Sequence, residues 1–328
     1  MTAFDQLPPL DCYTFGETML RLTPPNNERL ETTTSYDIHI GGAESNLAVG
    51  LARLGKRTAW MSRLPDSPQG RLITNTLRAH GVDVADVGWA DPARARVGTY
   101  YLERGAPPRP ARVWYDRANS AASRLSPEHL PYGRIAQARW LHLTGITAAL
   151  SDSCAQAVGA ALRYAREHQV KISFDVNYRA LLWPAERAAR VLDPFCAQAD
   201  LVFIAARDAA GLFGITDIRE VQRRWGGTVC MTNGSEGAQL CDAHGATFST
   251  PAHPVTIIER LGAGDAFAAG VLCALMEDAT PDQALRMGCA VAALKLTIPG
   301  DFALVTRAEV EALMLTATAA GAGPTLNR

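Results

Sequence analysis

The feature that most constrains the fold of this 328-residue chain is its alternation of short apolar strands with helical patterns. Residues 170–174, 201–204 and 228–232 read as buried strands. The last of these runs into Asn233-Gly234-Ser235-Glu236-Gly237. Residues 44–54 place Leu47, Leu51 and Leu54 on one helical face, and Gly55 stops that helix. Residues 58–62 read as the next strand, and 68–80 as a helix ending at Gly81. Helices follow at 264–277 and 282–297, and Thr306-Arg307-Ala308-Glu309 is a capping box for a last one. Strands alternating with helices predict a parallel sheet covered on both faces. Two stretches break the rhythm. Residues 17–41 and 94–118 contain strand-like runs at 19–22, 37–40, 97–102 and 112–117 without helices. They predict an antiparallel flap whose apolar face needs cover, from the active site or a partner subunit. No internal repeat or low-complexity linker divides the chain, so residues 1–328 are expected to form one unit with the flap inserted.

Composition narrows the function. Hydrophobic residues at 48% and charged residues at 20% specify an ordinary globular core. A net charge of −1 argues against a nucleic-acid partner, which would call for a basic face. Seven scattered cysteines without a C-x-x-C pair argue against a disulfide framework or zinc site, and reduced cytoplasmic thiols are expected. Residues 1–12 carry no signal-peptide pattern. The longest apolar stretch, 266–276, is too short to span a bilayer. The Ala-, Thr- and Gly-rich tail 316–328 is expected to fray.

Four segments carry chemistry. Gly262-Ala263-Gly264-Asp265 precedes an apolar helix. Its glycines permit a sharp turn and close approach of a ligand. The new helix offers unpaired N–H groups to a phosphate or oxyanion, and Asp265 in its first turn can accept a proton from a hydroxyl. Gly41-Gly42-Ala43-Glu44-Ser45-Asn46 follows a strand and opens a helix; it suits either a sugar-sized ligand or a plain tight turn. Asp175-Val176-Asn177-Tyr178-Arg179 ends a buried strand, where open α/β sheets bind ligands. There Asn177 can meet phosphate oxygens or magnesium-bound water, and Arg179 can neutralise an anion. From the second flap stretch, Tyr100, Tyr115 and Arg117 can reach over a substrate, or form a solvated cross-strand pair. Gly50 to Lys56 imitates a phosphate-binding loop, but Arg57 stands where Ser or Thr is required, and the segment ends a helix. The histidines, His39, His80, His129, His142, His168, His244 and His253, have no metal-ligand spacing and are expected to be structural or exposed.

The Gly-Gly-x-x-x-Asn, Asp-x-Asn-x-Arg and Gly-Ala-Gly-Asp segments, in this order across about residues 12–315, resemble the ribokinase-like (PfkB) family of carbohydrate kinases. The resemblance implies a three-layer α/β/α sandwich with a small β-sheet lid, and ATP- and Mg²⁺-dependent phosphorylation of a sugar hydroxyl. Gly16 to Leu22, the segment 115–122, Leu182-Trp183 and Gly300-Asp301 are similar to family members acting on ketoaldonates. By position, Gly42, Asn46, Tyr100, Tyr115, Arg117, Arg179, Asp265 and Asp301 would contact the sugar. Asn177, Thr232, Gly234, Gly237, Gly262, Ala263 and Gly264 would line the nucleotide site. Asp265 would be the base, with the amides of Gly262, Ala263 and Gly264, and Arg179, stabilising the transferred group. The expected reaction is phosphorylation of 2-keto-3-deoxygluconate at its C6 hydroxyl, with Arg117 matching the carboxylate. A fructokinase or other neutral-sugar kinase, and a silent sugar- or nucleotide-binding regulator, remain alternatives. Family members often carry Asn-x-x-Glu near the metal; here the segment is Ala205-Ala206-Arg207-Asp208, so no direct metal ligand is assigned. A homo-oligomer formed through the lid is expected.

Overall fold

The computed structural model describes residues 10–106 and 108–316. The tail beyond residue 316 and the first nine residues lie outside the described part. A nine-stranded sheet forms the centre, in the order Thr247–Thr250, Ala238–Cys241, Thr228–Thr232, Leu201–Ala205, Lys171–Asp175, Ala138–Thr144, Leu10–Phe15, Thr58–Met61 and Val82–Asp83. The seven strands from Thr228–Thr232 onward in this order run parallel; Ala238–Cys241 pairs antiparallel with Thr228–Thr232, and Thr247–Thr250 pairs antiparallel with Ala238–Cys241.

Successive side chains on a strand point to opposite faces. Ile172, Phe174, Val202 and Ile204 therefore pack on one side, under helices Asp152–Glu167, Ala185–Cys196, Ala206–Phe213 and Ile218–Trp225. Leu201, Phe203, Cys230 and Leu240 pack on the other, under Ala43–Arg53, Ala263–Met276, Pro281–Leu296 and Arg307–Thr316. Both faces are covered, as a parallel sheet requires. Among the described residues no helix is long and apolar enough to cross a membrane.

Small residues bring the second set of helices unusually close. A Cβ on Gly270 would stand 2.8 Å from Gly288 Cα, and one on Gly50 would stand 2.9 Å from Ala269 Cβ. Helix Ala263–Met276 is thus pressed between Pro281–Leu296 and Ala43–Arg53. Being apolar all round, it is suited to that position.

The flap is a separate four-stranded sheet, Asp37–Gly41, Met19–Thr23, Thr99–Glu103 and Arg112–Asp116. It is mixed rather than antiparallel, because Met19–Thr23 and Thr99–Glu103 pair in parallel. A long stretch containing helices Ala43–Arg53 and Pro68–Ala79 separates these two strands, so they need not run as a hairpin. A further ladder, Arg63–Pro65 with Gly88–Ala90, was not anticipated.

Candidate active site

The carboxyl ends of adjacent parallel strands line up in register: Thr144 opposite Asp175, and Ala205 opposite Thr232. Elsewhere Ser67, Ser151, Asp217 and Thr280 cap their helices with a side chain. Thr144, at the end of its own strand, likewise caps the short helix Gly145–Ala149, whereas Gly42, Ala205 and Gly262 open helices Ala43–Arg53, Ala206–Phe213 and Ala263–Met276 without a side-chain cap. First-turn amides without a cap are free for a ligand.

Gly262 sits at φ 81°, the left-handed region, and a Cβ there would collide with the carbonyl oxygen of Asp301. Only glycine meets both demands. By contrast, a Cβ on Gly264 would meet open space, so the backbone at Gly264 is accessible. Asp265 follows, half-buried. Its Oδ2 accepts a 2.7 Å hydrogen bond from Asn46 Nδ2. Gly42 N–H in turn donates to Asn46 Oδ1 at 3.3 Å, which fixes the orientation of the amide. Burial raises the Asp265 carboxyl to about 6; the Asn46 bond and the Arg179 charge act the other way, and Asp301 adds to the rise. A carboxylate near 6 is ionised at neutral pH yet basic enough to take a proton.

Asp175 accepts from Asn177 through both its N–H, at 3.1 Å, and its side-chain amide, at 3.2 Å. Asn177 therefore turns back on Asp175, and its φ of 39° marks a tight, unusual turn for a residue other than glycine. Burial pushes Asp175 up to about 8, with the Asp265 and Asp208 charges adding and Arg179 opposing. Buried Asp208 is also raised, by desolvation against Arg207 and Arg179. Arg179 is half-buried and acts on all three carboxyls. Thr232 ends its strand, and the turn after it includes Gly234 at φ 56° and Gly237 at φ 104°. A Cβ on Gly237 would collide with the Thr250 carbonyl, which makes that glycine a packing requirement.

The lid contributes less freely than the sequence suggested. Tyr100 is buried and donates to Asp301 Oδ1 at 2.6 Å, while Asp301 Oδ2 meets Arg21 Nη1 at 3.0 Å. Two expected sugar contacts are thus engaged with each other. Arg117 pairs with buried Glu17, its Nε 2.7 Å from Oε2, and its guanidinium lies 5.6 Å from the Tyr115 ring centre. A Cβ on Gly42 would collide with the Glu17 carbonyl, so Gly42 accommodates the lid strand.

Several charged groups of the site did not emerge from the sequence. Arg21 is fully buried, and its Nε and Nη2 lack hydrogen-bond partners. Its signal was a charge on the inward face of a lid strand. Glu44 is fully buried and raised to about 7 by desolvation, while accepting from Thr144 and Thr147 at 2.7 and 2.6 Å. Among the described residues no group of three or more His, Cys, Asp or Glu is arranged to enclose a metal directly.

Open amides beside a held carboxylate are the apparatus of a phosphotransferase. The sandwich with its β lid places that apparatus on the ribokinase-like fold. The pattern of the pfkB family of carbohydrate kinases matches residues 10–306. A 2-dehydro-3-deoxygalactonokinase from Haloferax volcanii is 39% identical over 307 residues, spanning 92% of this chain and 95% of the relative. A 2-dehydro-3-deoxygluconokinase from Thermoproteus tenax is 33% identical over 307 residues, spanning 91% and 92%. The crystal structure of the 2-dehydro-3-deoxygluconokinase of Thermotoga maritima superposes with a TM-score of 0.89 at 32% identity, covering 93% of this chain and 99% of that one. The chain belongs to the pfkB family and is an ATP-dependent sugar kinase acting on a small-molecule sugar.

Proposed function

We propose that the acceptor is a sugar acid, 2-keto-3-deoxygluconate (2-dehydro-3-deoxygluconate) or its galactonate epimer, and that its C6 hydroxyl is phosphorylated. The observation carrying the chemistry is Asp265, held by Asn46 at the open start of a helix. Asp265 accepts the C6 hydroxyl proton as that oxygen attacks the γ-phosphorus of ATP. The amides of Gly264 and Asp265 and the Arg179 guanidinium stabilise charge on the transferred group. Thr232, Gly234 and Gly237 line the nucleotide side. The lid closes over the sugar with Tyr115 and Arg117, excluding water that would hydrolyse ATP. Asn46 orients the base, and Tyr100 with Asp301 braces the lid against the loop.

Asp175 and Asp208 suit a magnesium ion held through its own water, because the Asp208 charge reaches Asp175 and a cation beside them would favour the ionised carboxylates that burial disfavours. When bound, the ion would neutralise negative charge on the phosphates. Asn177 steadies Asp175 there.

The acid substrate is supported by the names of the relatives and by Arg117. Glu17 engages the Nε edge of that guanidinium, and the planar fork has further N–H groups for a second carboxylate. The same pairing favours a second reading, a neutral-sugar kinase, because Glu17 already balances the charge. ADP release with the keto acid, set against fructose, decides between them. Faster turnover per mole of the keto acid supports the first reading; preference for fructose rejects it.

The whole chain is read as one catalytic unit in the cytoplasm, assembled as a homo-oligomer through the lid. The outer row Ile38, Leu22, Tyr101 and Trp114 runs across all four lid strands in register. Ile38 is 56% and Trp114 44% exposed. An apolar row of this kind suits a second copy, and a monomer mass in solution at all concentrations contradicts it.

A further inference from the structure

One buried charge has no part in the chemistry described so far. Lys295 stands in the last turn of helix Pro281–Leu296, and its side chain is fully buried. Its ammonium donates to the carbonyl oxygens of Ile298, at 3.1 Å, and Glu259, at 3.4 Å. The same two stretches are joined by backbone: the N–H groups of Ile258 and Glu259 both donate to Leu296 O, at 2.8 and 3.1 Å. Burying an ammonium is costly unless it is well paired, and an apolar side chain of similar volume is often the more stable choice. Retaining a charge here calls for a reason beyond packing.

The two stretches that Lys295 joins both lead into the active site. Residues 258–262 run into the helix start that bears Gly264 and Asp265. Residues 297–301 run to Asp301, whose carbonyl oxygen lies against the Gly262 Cα. The close Gly270–Gly288 crossing brings the end of one helix beside the start of the other. The ammonium therefore lies at the C-terminal end of Pro281–Leu296, which favours a cation, and behind the amides that face the phosphate.

We propose that Lys295 is a positioning residue, a built-in cation that clamps the 258–262 connection to the 297–301 loop and so sets the anion-binding amides of Gly264 and Asp265. The clamp rests on the kinase reading for its rate effect, but not for its effect on nucleotide binding. Burial lowers Lys295 to about 8. The facing carboxylates of Asp301, Glu259 and Asp265 oppose that fall, and Arg21 adds to it.

The test compares Lys295→Met and Lys295→Ala with the wild type, measuring kcat and the affinity for ADP by calorimetry. Methionine nearly preserves volume but removes the charge. It should lower kcat on the order of 10²-fold, the scale of a misplaced catalytic group, and weaken ADP binding. The alanine variant should lose as much and recover several-fold in ammonium chloride, but not in tetramethylammonium chloride, whose cation is too large for the vacated space. The wild type should ignore both salts. Its kcat should fall as pH rises through about 8 and the ammonium loses its proton, a readout that needs no variant to fold. A methionine variant with wild-type kcat and ADP affinity, an alanine variant indifferent to ammonium, or a wild-type kcat flat through pH 9 would each overturn the clamp. A wild type that turns over no sugar would instead contradict the kinase reading, and the ADP titrations would still decide the clamp.

Discussion

In the proposed role of Asp265 as base, three residues distant in sequence tune its carboxyl. Asn46 supplies a hydrogen bond, Arg179 a positive charge and Asp301 a negative one, while burial raises the carboxyl to about 6. The base is active when ionised, so kcat should rise with pH through about 6. The Asn46 bond favours the charged form, so Asn46→Ala should move that acid limb to higher pH as well as lowering kcat. A pH–rate profile checks this, and a limb left in place would contradict the role given to Asn46. The Gly262-Ala263-Gly264-Asp265 turn before an apolar helix was legible from the sequence, but alone it reads equally as a first-turn carboxylate, and its proposed role comes from its order with the Gly-Gly-x-x-x-Asn and Asp-x-Asn-x-Arg segments. The partners of the lid residues were not legible. Tyr100, Arg117 and Asp301 are polar residues of the expected types, yet Asp301, Glu17 and Arg21 already engage them. Spacing shows which polar groups are present; it does not show which of them neutralise one another.

Among the elements, the crossing of helices Ala43–Arg53 and Ala263–Met276 matters most. Gly50 and Ala269 meet one turn beyond Asn46 and Asp265, so their small size sets the 2.7 Å bond between those side chains. Gly50→Ala should destabilise the fold by about 1–3 kcal/mol, as overpacking does, and lower kcat. Ala269→Gly in the same chain should restore both. Thermal unfolding and initial rates measure the pair, and simple additivity of the two changes would contradict the contact. The helices beside strands 171–175 and 201–205 formed where the strand rhythm left room for them. Two central strands, Leu10–Phe15 and Ala138–Thr144, escaped the sequence reading because each carries polar residues in a wholly buried position. Thr14 and His142 are 0% and 1% exposed, and the His142 ring is tied to Ser173 Oγ at 2.6 Å. A satisfied group such as the His142 ring can be buried at little cost, while Thr14 Oγ1 is buried without a partner; in sequence either one breaks an apolar run.

At the scale of the whole molecule, a parallel sheet holds the site at its carboxyl ends, and the lid stands over it. The alternation of strands and helices was enough to expect the sandwich. The mixed order of the lid was not legible, because strands separated by nearly eighty residues can pair in either direction. The lid's inner row, His39, Arg21, Tyr100 and Tyr115, lies on the side of Asp301, and its outer row is the surface proposed to meet a second copy. The central claim joins this architecture to one carboxylate: the fold exists to hold Asp265 at an open helix start, where it receives a sugar proton. The most direct measurement is ADP release from Mg-ATP and 2-keto-3-deoxygluconate by the wild type and Asp265→Asn. The account predicts a kcat roughly 10²–10⁴-fold lower in the variant, with little change in KM for either substrate. A variant turning over at near the wild-type rate would contradict it.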